Sequence, residues 1–277
     1  MTVHHLDCAT MCPLGGRLLI GSGGPLVGRL SAHCLLVEGA GGLLLVDTGF
    51  GTGDLADPRR LGRTLRWAAR PRLDAAATAV QRIRALGHDP RDVRHIVVTH
   101  LDPDHAGGLG DFPHARVHVL ADELRAALAP ANRAERDRYR SAQWAHDPHW
   151  AEHRPDAADE DWYGFRAVPV LPGDAPDFLL VPLPGHSRGH CGVAVRDADR
   201  WLLHCGDAYF SHTDIDPAGL RRPPGLTAFQ HLVAADNPTR LANLSRLREL
   251  RRNHDAEVRL ICAHDPRELP QGPAHRP

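Results

Sequence analysis

Apolar residues in this chain come in short runs that end on Gly, Asp or His. Residues 34–39 (CLLVEG) and 43–49 (LLLVDTG) read as two strands joined by Ala40, Gly41 and Gly42. Glycine in such a turn supplies the positive φ of a tight hairpin. Residues 74–86 predict one helix: Asp74 can cap it, AAATAVQRIRAL is rich in helix formers, and Gly87 ends it. HIVVT at 95–99 predicts a buried strand, followed by a strand at 115–120 and a helix at 121–129. Strand-like runs recur at 178–183, 191–195, 200–205 and 258–263. A helix over 237–252 precedes the last of them, with Leu241, Leu244, Leu247 and Leu250 at three-residue steps.

Strands and helices thus alternate through two rough halves, with no Pro/Gly-rich linker between them. The pattern predicts an α/β fold: one domain over residues 1–277, with two sheets in contact and helices outside. Residues 130–166 differ in character. They are charged, poor in aliphatics, and carry Trp144, Trp150 and Trp162. Such an insertion is expected to form a lid or a substrate wall, with the tryptophans either lining a pocket or anchoring the segment to the body.

The net charge of −1 leaves no overall basic field, so nucleic acid is not the expected partner. No run approaches the 18 apolar residues of a membrane span, and residues 1–12 lack the basic and apolar regions of a secretory signal. A cytoplasmic location with reduced thiols is the expectation. Cys34, Cys191 and Cys262 lie in or beside apolar runs and read as small buried residues; a Cys8–Cys12 disulfide would require an oxidising compartment. Twenty histidines in 277 residues exceed what any one site can use, so position has to decide among them.

Position singles out residues 99–108, THLDPDHAGG. His100, Asp102, Asp104 and His105 put four ligand-type side chains within six residues, directly after a buried strand. Imidazole offers a neutral nitrogen and carboxylate a charged oxygen, and such density can serve two adjacent metal ions. Gly107 and Gly108 are expected to let the chain turn tightly there. Three more apolar runs end the same way: one on His186, one on Asp207, one on His264. Chemistry in layered α/β folds gathers on strand-end loops held by a rigid scaffold.

These residues resemble the metallo-β-lactamase superfamily, whose motif His-x-His-x-Asp-His is followed by a later His, a bridging Asp and a final His. The match runs from about His33 to His264, and Asp47-Thr48-Gly49 resembles the family's early Asp-Thr-Gly turn. The resemblance implies an αββα sandwich. It implies one metal on His100, residue 102 and His186, a second on Asp104, His105 and His264, and Asp207 between them. Asp102 stands where the family usually has His, and some iron-binding relatives carry a carboxylate there. Zinc is the expected metal, with iron or manganese open because carboxylate is the harder ligand. The other reading of Asp102 is that it does not bind and leaves the first site weak or empty.

Several neighbours have expected roles. Asp47 orients a ligand histidine, or is a turn aspartate. His190 hydrogen-bonds structurally, His204 packs in the core, and His146, His149 and His153 belong to a solvated loop. Tyr209 follows Asp207 by two residues; strand alternation would bring it to the metals as an oxyanion donor, the alternative being a packed strand-end tyrosine.

Two metals about 3.5–4 Å apart hold a hydroxide and polarise a carbonyl, with Asp104 orienting the nucleophile or carrying a proton. The most similar group is the N-acyl-homoserine-lactone lactonases, implying a small-molecule substrate, lactone or ester hydrolysis and a quorum-quenching activity. Glyoxalase-like thioesterases, phosphodiesterases, a non-hydrolytic iron oxidoreductase and a binding protein with a vestigial site are the alternatives. Neither a membrane nor a nucleic-acid partner is expected, and a homodimer is left open.

Overall fold

The computed structural model describes residues 1–39, 42–156, 160–171 and 177–270. Two mixed sheets lie face to face. The first has seven strands: β1 (Thr2–Met11), β2 (Leu30–Gly39), β3 (Gly42–Val46), β4 (Pro71–Arg72), β5 (Val93–Val97), β6 (Arg116–Leu120) and β7 (His149–His153), in spatial order β4-β1-β2-β3-β5-β6-β7. The second has six: β8 (Glu160–Trp162), β9 (Phe165–Pro169), β10 (Phe178–Pro182), β11 (Cys191–Asp197), β12 (Arg200–His204) and β13 (Val258–Ile261), in order β13-β12-β11-β10-β9-β8.

Three apolar layers hold the sheets and helices together. Leu35, Val37, Leu44, Val46, Val97 and Leu120 of the first sheet meet Leu180, Val193, Val195, Leu202 and Ile261 of the second. The other face of the first sheet packs on helix Ala79–Ala85 through Ile83, Leu36, Leu45 and Ile96. The other face of the second packs on helix Asn237–His254 through Leu244, Leu247 and Leu250. Central strands covered on both faces need unbroken apolar runs, and β2 and β3 are buried along nearly their whole length for this reason. The result is the expected αββα sandwich.

The 34–49 hairpin forms, with Leu36 opposite Leu45 and Gly42 at φ 113°; Ala40 and Gly41 lie outside the described residues. The helix expected over 74–86 is interrupted. Asp74 caps a single 3-10 turn, Ala75–Ala77. Thr78 is then extended, with φ −67° and ψ 146°, and the α-helix runs only from Ala79 to Ala85. The Thr78 hydroxyl donates to the Ala75 carbonyl, an alternative to helical pairing that Thr readily takes. In helix Asn237–His254, Leu241 is 38% exposed. A three-residue step rotates backwards by roughly 60° each time, so four such leucines cannot share one face, and the first of the series lies off the buried one. Strand β1 carries no clean alternation and is held in place by its pairing with β2.

The 130–166 segment is structural as well as peripheral. It supplies β7, which extends the first sheet in parallel beside β6, and β8, which edges the second. Trp144 and Trp162 are buried in the two outer cores, and Trp150 packs against the first. The rings of Trp144 and Trp162 are therefore committed to these cores, while Trp150 is partly buried. His149 and His153 lie on β7 and not in a solvated loop, and His153 Nε2 sits 2.9 Å from His118 Nδ1. The described cysteines are free thiols, Cys8 and Cys12 included. No helix among the described residues is long and apolar enough to cross a membrane.

Trp162 stacks edge-on against Trp201 at 5.7 Å inside the second outer core. Trp162→Ala is expected to cost about 3–5 kcal/mol of stability, the ordinary price of emptying a buried aromatic site. Urea unfolding measures it; a loss under about 1 kcal/mol would place the ring outside the core.

Candidate metal centre

Strands β3, β5 and β6 are parallel, and β10, β12 and β13 run in a common direction. Their C-terminal ends open at one rim, which explains how residues remote in sequence meet. Asp47 follows β3, the His100–His105 loop follows β5, His186 follows β10, Asp207 follows β12 and His264 follows β13. All are buried except Asp102, whose side chain is 16% exposed.

The donor atoms form two groups. His100, His186 and Asp207 make one; Asp104, His105 and His264 make the other. Asp207 lies between them. Its Oδ2 is 3.4 Å from His186 Nε2 and 3.9 Å from His100 Nε2. Its Oδ1 is 3.2 Å from His105 Nε2 and 3.1 Å from His264 Nε2. Asp104 Oδ2 completes the second group, 3.6 Å from His264 Nε2. Asp102 Oδ2 joins the first, 3.1 Å from His186 Nε2 and 3.4 Å from His100 Nε2. The structure thus brings together all seven residues expected to ligate metal.

Hydrogen bonds behind the rings aim these donors. His105 Nδ1 donates to Asp47 Oδ2 at 2.8 Å, and His264 Nδ1 donates to the Ser31 carbonyl at 2.7 Å. Thr99 Oγ1 donates to Asp47 Oδ2, leaving it free to accept from His100 Nδ1 at 3.0 Å. With Nδ1 carrying the proton, each Nε2 presents a lone pair to the centre. Asp47 itself sits at φ 53°, a left-handed conformation that Asp tolerates better than most residues. This is the orienting role expected of it.

The electrostatics call for cations. His100 Nε2, His105 Nε2 and Asp207 Oδ1 are buried without a hydrogen-bond partner, although they converge. Buried polar atoms are rarely left so unless something else satisfies them. Burial alone would lower the His105 imidazole, yet Asp207, Asp47 and Asp104 raise it well above its usual range. Burial would raise the Asp207 carboxyl, yet His264, His105 and His186 hold it well below. Carboxylate charge exceeds what neutral imidazoles can balance, and the His/Asp donor set suits divalent metals.

A family model described as the metallo-beta-lactamase superfamily matches residues 27–257. The chain belongs to the metallo-beta-lactamase superfamily. A protein of Mycobacterium tuberculosis named probable metallo-hydrolase is 44% identical over 264 residues, covering 95% of this chain and 80% of its own length. An N-acyl homoserine lactonase of Rhizobium radiobacter is 28% identical over 232 residues, covering 83% of this chain and 80% of that one. Among solved structures, an N-acyl homoserine lactone hydrolase with N-hexanoyl-L-homoserine at its catalytic metal centre superposes with a TM-score of 0.69 at 21% identity, covering 96% of this chain and 93% of that one. By family and by its 44% identity to that relative, this chain is a metallo-hydrolase.

Within this superfamily member, two expectations need correction. Tyr209 points away from the centre: its hydroxyl donates to the Glu268 carboxylate at 3.2 Å, and its ring packs with Leu244 and Leu247. Strand alternation fails because β12 ends at His204 and Gly206 turns the chain at φ 52°. Phe210 faces the donor groups instead, its ring 4.7 Å from His264 and 6.1 Å from His186. Gly107, in turn, is in ordinary helical space at φ −58°. A Cβ on Gly107 would meet the Asp54 carboxylate, and one on Gly108 would lie 2.9 Å from Thr48 Cβ. Close packing on the Asp47–Gly49 turn, and no special backbone angle, requires these two glycines.

His190 and His204 are structural, as expected. His190 Nδ1 donates to the Leu183 carbonyl and Nε2 accepts from Asp207 N–H at 2.9 Å, so neither nitrogen remains for a metal. His204 donates to the His33 carbonyl and accepts from Gly206 N–H.

Two residues had no sequence signal. Glu123 is fully buried in helix Ala121–Leu128. Its carboxylate accepts from Leu101 N–H at 3.0 Å, Ser187 Oγ at 2.6 Å and Gly189 N–H at 3.1 Å, latching the His100 loop to the His186 loop. Arg138, from helix Arg133–Arg138, places Nη1 3.3 Å from Asp102 Oδ2. Burial would raise the Asp102 carboxyl, but Arg138 and His100 hold it well below the usual range.

Glu123→Ala leaves three buried donors unpaired and frees the two loops. It is expected to weaken metal binding about 10–100-fold, as loss of a group supporting the ligands does. Equilibrium dialysis with elemental analysis reads the change; unaltered affinity would reduce Glu123 to a packing residue. Tyr209→Phe is expected to keep kcat and to lower stability by about 1 kcal/mol through the lost Glu268 hydrogen bond. A hundredfold fall in kcat would return the phenol to the chemistry.

Proposed function

We propose that this chain is a dimetal hydrolase that opens a lactone or ester carbonyl, with N-acyl-homoserine lactones as the substrate class. The observation that carries the reading is Asp207, whose carboxylate lies between two separate donor groups: Oδ2 is 3.4 Å from His186 Nε2 and 3.1 Å from His264 Nε2, and Oδ1 is 3.2 Å from His105 Nε2. His100, His186 and Asp102 would hold one divalent ion, and Asp104, His105 and His264 the other, with Asp207 shared. Zinc is the favoured metal, and the Asp102 carboxylate keeps manganese or iron in contention. Ions so held supply Lewis acidity and an acidic water.

The chain's own residues do the rest. Asp104 is 7% exposed beside His264, placed to accept the proton of the attacking water and return it to the leaving alkoxide oxygen. The water oxygen bonds to the carbonyl carbon, the bond from that carbon to the ring oxygen breaks, and the products are an alcohol and a carboxylic acid, which ionises to carboxylate and a released proton. Asp47 keeps His105 in one tautomer and orientation while charge at the centre changes. Phe210 covers one side of the donors and excludes water there. It continues into an apolar surface with Leu226 and half-buried Phe229, whose ring lies 6.0 Å from that of Phe210. An acyl chain fits such a wall, and a phosphodiester has no use for it. The lactonase resemblance of the Rhizobium radiobacter relative supports the same choice.

Protein stripped with a chelator is expected to lose activity and to regain it with two ions per chain. In a panel of lactones, thioesters and phosphodiesters, kcat/KM should be highest for acyl lactones; faster turnover of phosphodiesters would sink the reading. Phe229→Ala should raise KM for decanoyl over butanoyl lactones by about tenfold while leaving kcat nearly constant, because the contact is remote from the reacting carbonyl.

A further inference from the structure

Asp102 Oδ2 is shared between two claims. On one side stand the imidazoles of the first donor group, His186 Nε2 at 3.1 Å and His100 Nε2 at 3.4 Å. On the other stands Arg138 Nη1 at 3.3 Å. The guanidinium is only 13% exposed, and its Nη2 is tied back to the Val233 carbonyl. The pair is not the two-pronged fork of an optimised Arg–carboxylate bridge. Arg138 Nη1 and Asp102 Oδ1 are both buried without a hydrogen-bond partner, so the contact is one of charge.

We propose that Arg138 is a resident counter-cation that competes with the first metal ion for Asp102 and so sets how tightly that site fills. The inference rests on the reading that His100, Asp102, His186 and Asp207 bind a metal. An ionised carboxylate largely removed from water is costly unless a positive group stands beside it. In the metal-free chain Arg138 is that partner. When a divalent ion takes Asp102, the guanidinium is left a few ångströms from a second cation with part of its compensation withdrawn. Thermodynamic linkage makes the two effects one quantity: what Arg138 contributes to the metal-free state is subtracted from metal affinity. The second donor group does not contact Arg138 through Asp102, so the competition should be confined to one site. The segment at 130–166 thus acts on the centre through a charge.

The same logic fixes the sign of a second change. In Asp102→His, Arg138 loses its carboxylate and faces the incoming ion uncompensated. Removing Arg138 should then help metal binding more than it does in the wild type.

The test is a titration of metal-free full-length protein with Zn²⁺ or Mn²⁺, resolving the two sites by calorimetry and counting ions by elemental analysis. Arg138→Met is expected to tighten the first site about tenfold, to leave the second within about threefold, and to lower Tm of the metal-free but not the metal-loaded protein. Arg138→Gln, a second neutral variant, should behave alike if Met disturbs folding, and Arg138→Lys should stay near wild type. Asp102→His should bind its first ion more weakly than Asp102→His/Arg138→Met. Unchanged or weakened first-site affinity in both neutral variants, with two ions still bound by the wild type, overturns the competition alone. A wild type that takes up one ion or none overturns the dimetal reading, and this proposal with it.

Discussion

Four carboxylates, those of Asp47, Asp102, Asp104 and Asp207, lie at one rim of the sandwich among four imidazoles, and three of the four are buried. That concentration of negative charge is the constraint on which the rest depends. Carboxylates removed from water at such spacing are tolerable only where cations compensate them. The raised His105 and the depressed Asp207 are two faces of this demand. So are the buried ring nitrogens and the carboxylate oxygen that converge without hydrogen-bond partners. A hydrophobic centre of the same shape would be more stable and would do nothing.

The scaffold meets the demand by rigidity. Ligand loops leave strands that are buried on both faces and fixed in register by the apolar layer between the sheets. Backbone is then brought against backbone: Gly189 lies so close to Glu123 that a side chain there would collide, and Gly185 bears the same relation to Arg240. Glu123 converts that proximity into hydrogen bonds spanning two ligand loops. His190 ties the Asp207 backbone to the same framework. Donor positions are therefore set by contacts outside the donor set, which is what keeps a charged cluster from relaxing apart.

Asp102 and Arg138 show how a departure from the family's usual ligand is accommodated. A carboxylate in place of imidazole adds a unit of negative charge, and a guanidinium from a distant helix supplies a unit of positive charge beside it. The guanidinium offsets the added charge, and a carboxylate is the harder donor. Specificity for substrate is a separate matter. In the proposed reading it falls to Phe210, Phe229 and Leu226, a different part of the chain from Trp144 and Trp162, whose rings are occupied in the cores.

The local pattern of residues, with the family resemblance it carries, determined the fold class, the order of most strands along the chain, and the seven candidate donors that the fold brings together. Each donor follows an apolar run directly, and a strand-end position is a local property that survives any packing. The Asp47 and His190 roles were legible through the family resemblance. What the tertiary structure alone decided are matters of direction and distance. Tyr209 turns outward and Phe210 inward because Gly206 ends the strand period, and three-residue leucine spacing cannot reveal that Leu241 rotates into solvent. Glu123 and Arg138 look like ordinary charged residues of short surface helices. Only the packing of those helices on the rim puts one carboxylate under two ligand loops and one guanidinium beside Asp102. Periodicity reports which face of an element is apolar, but it carries no information on which polar atoms from remote segments share a point in space.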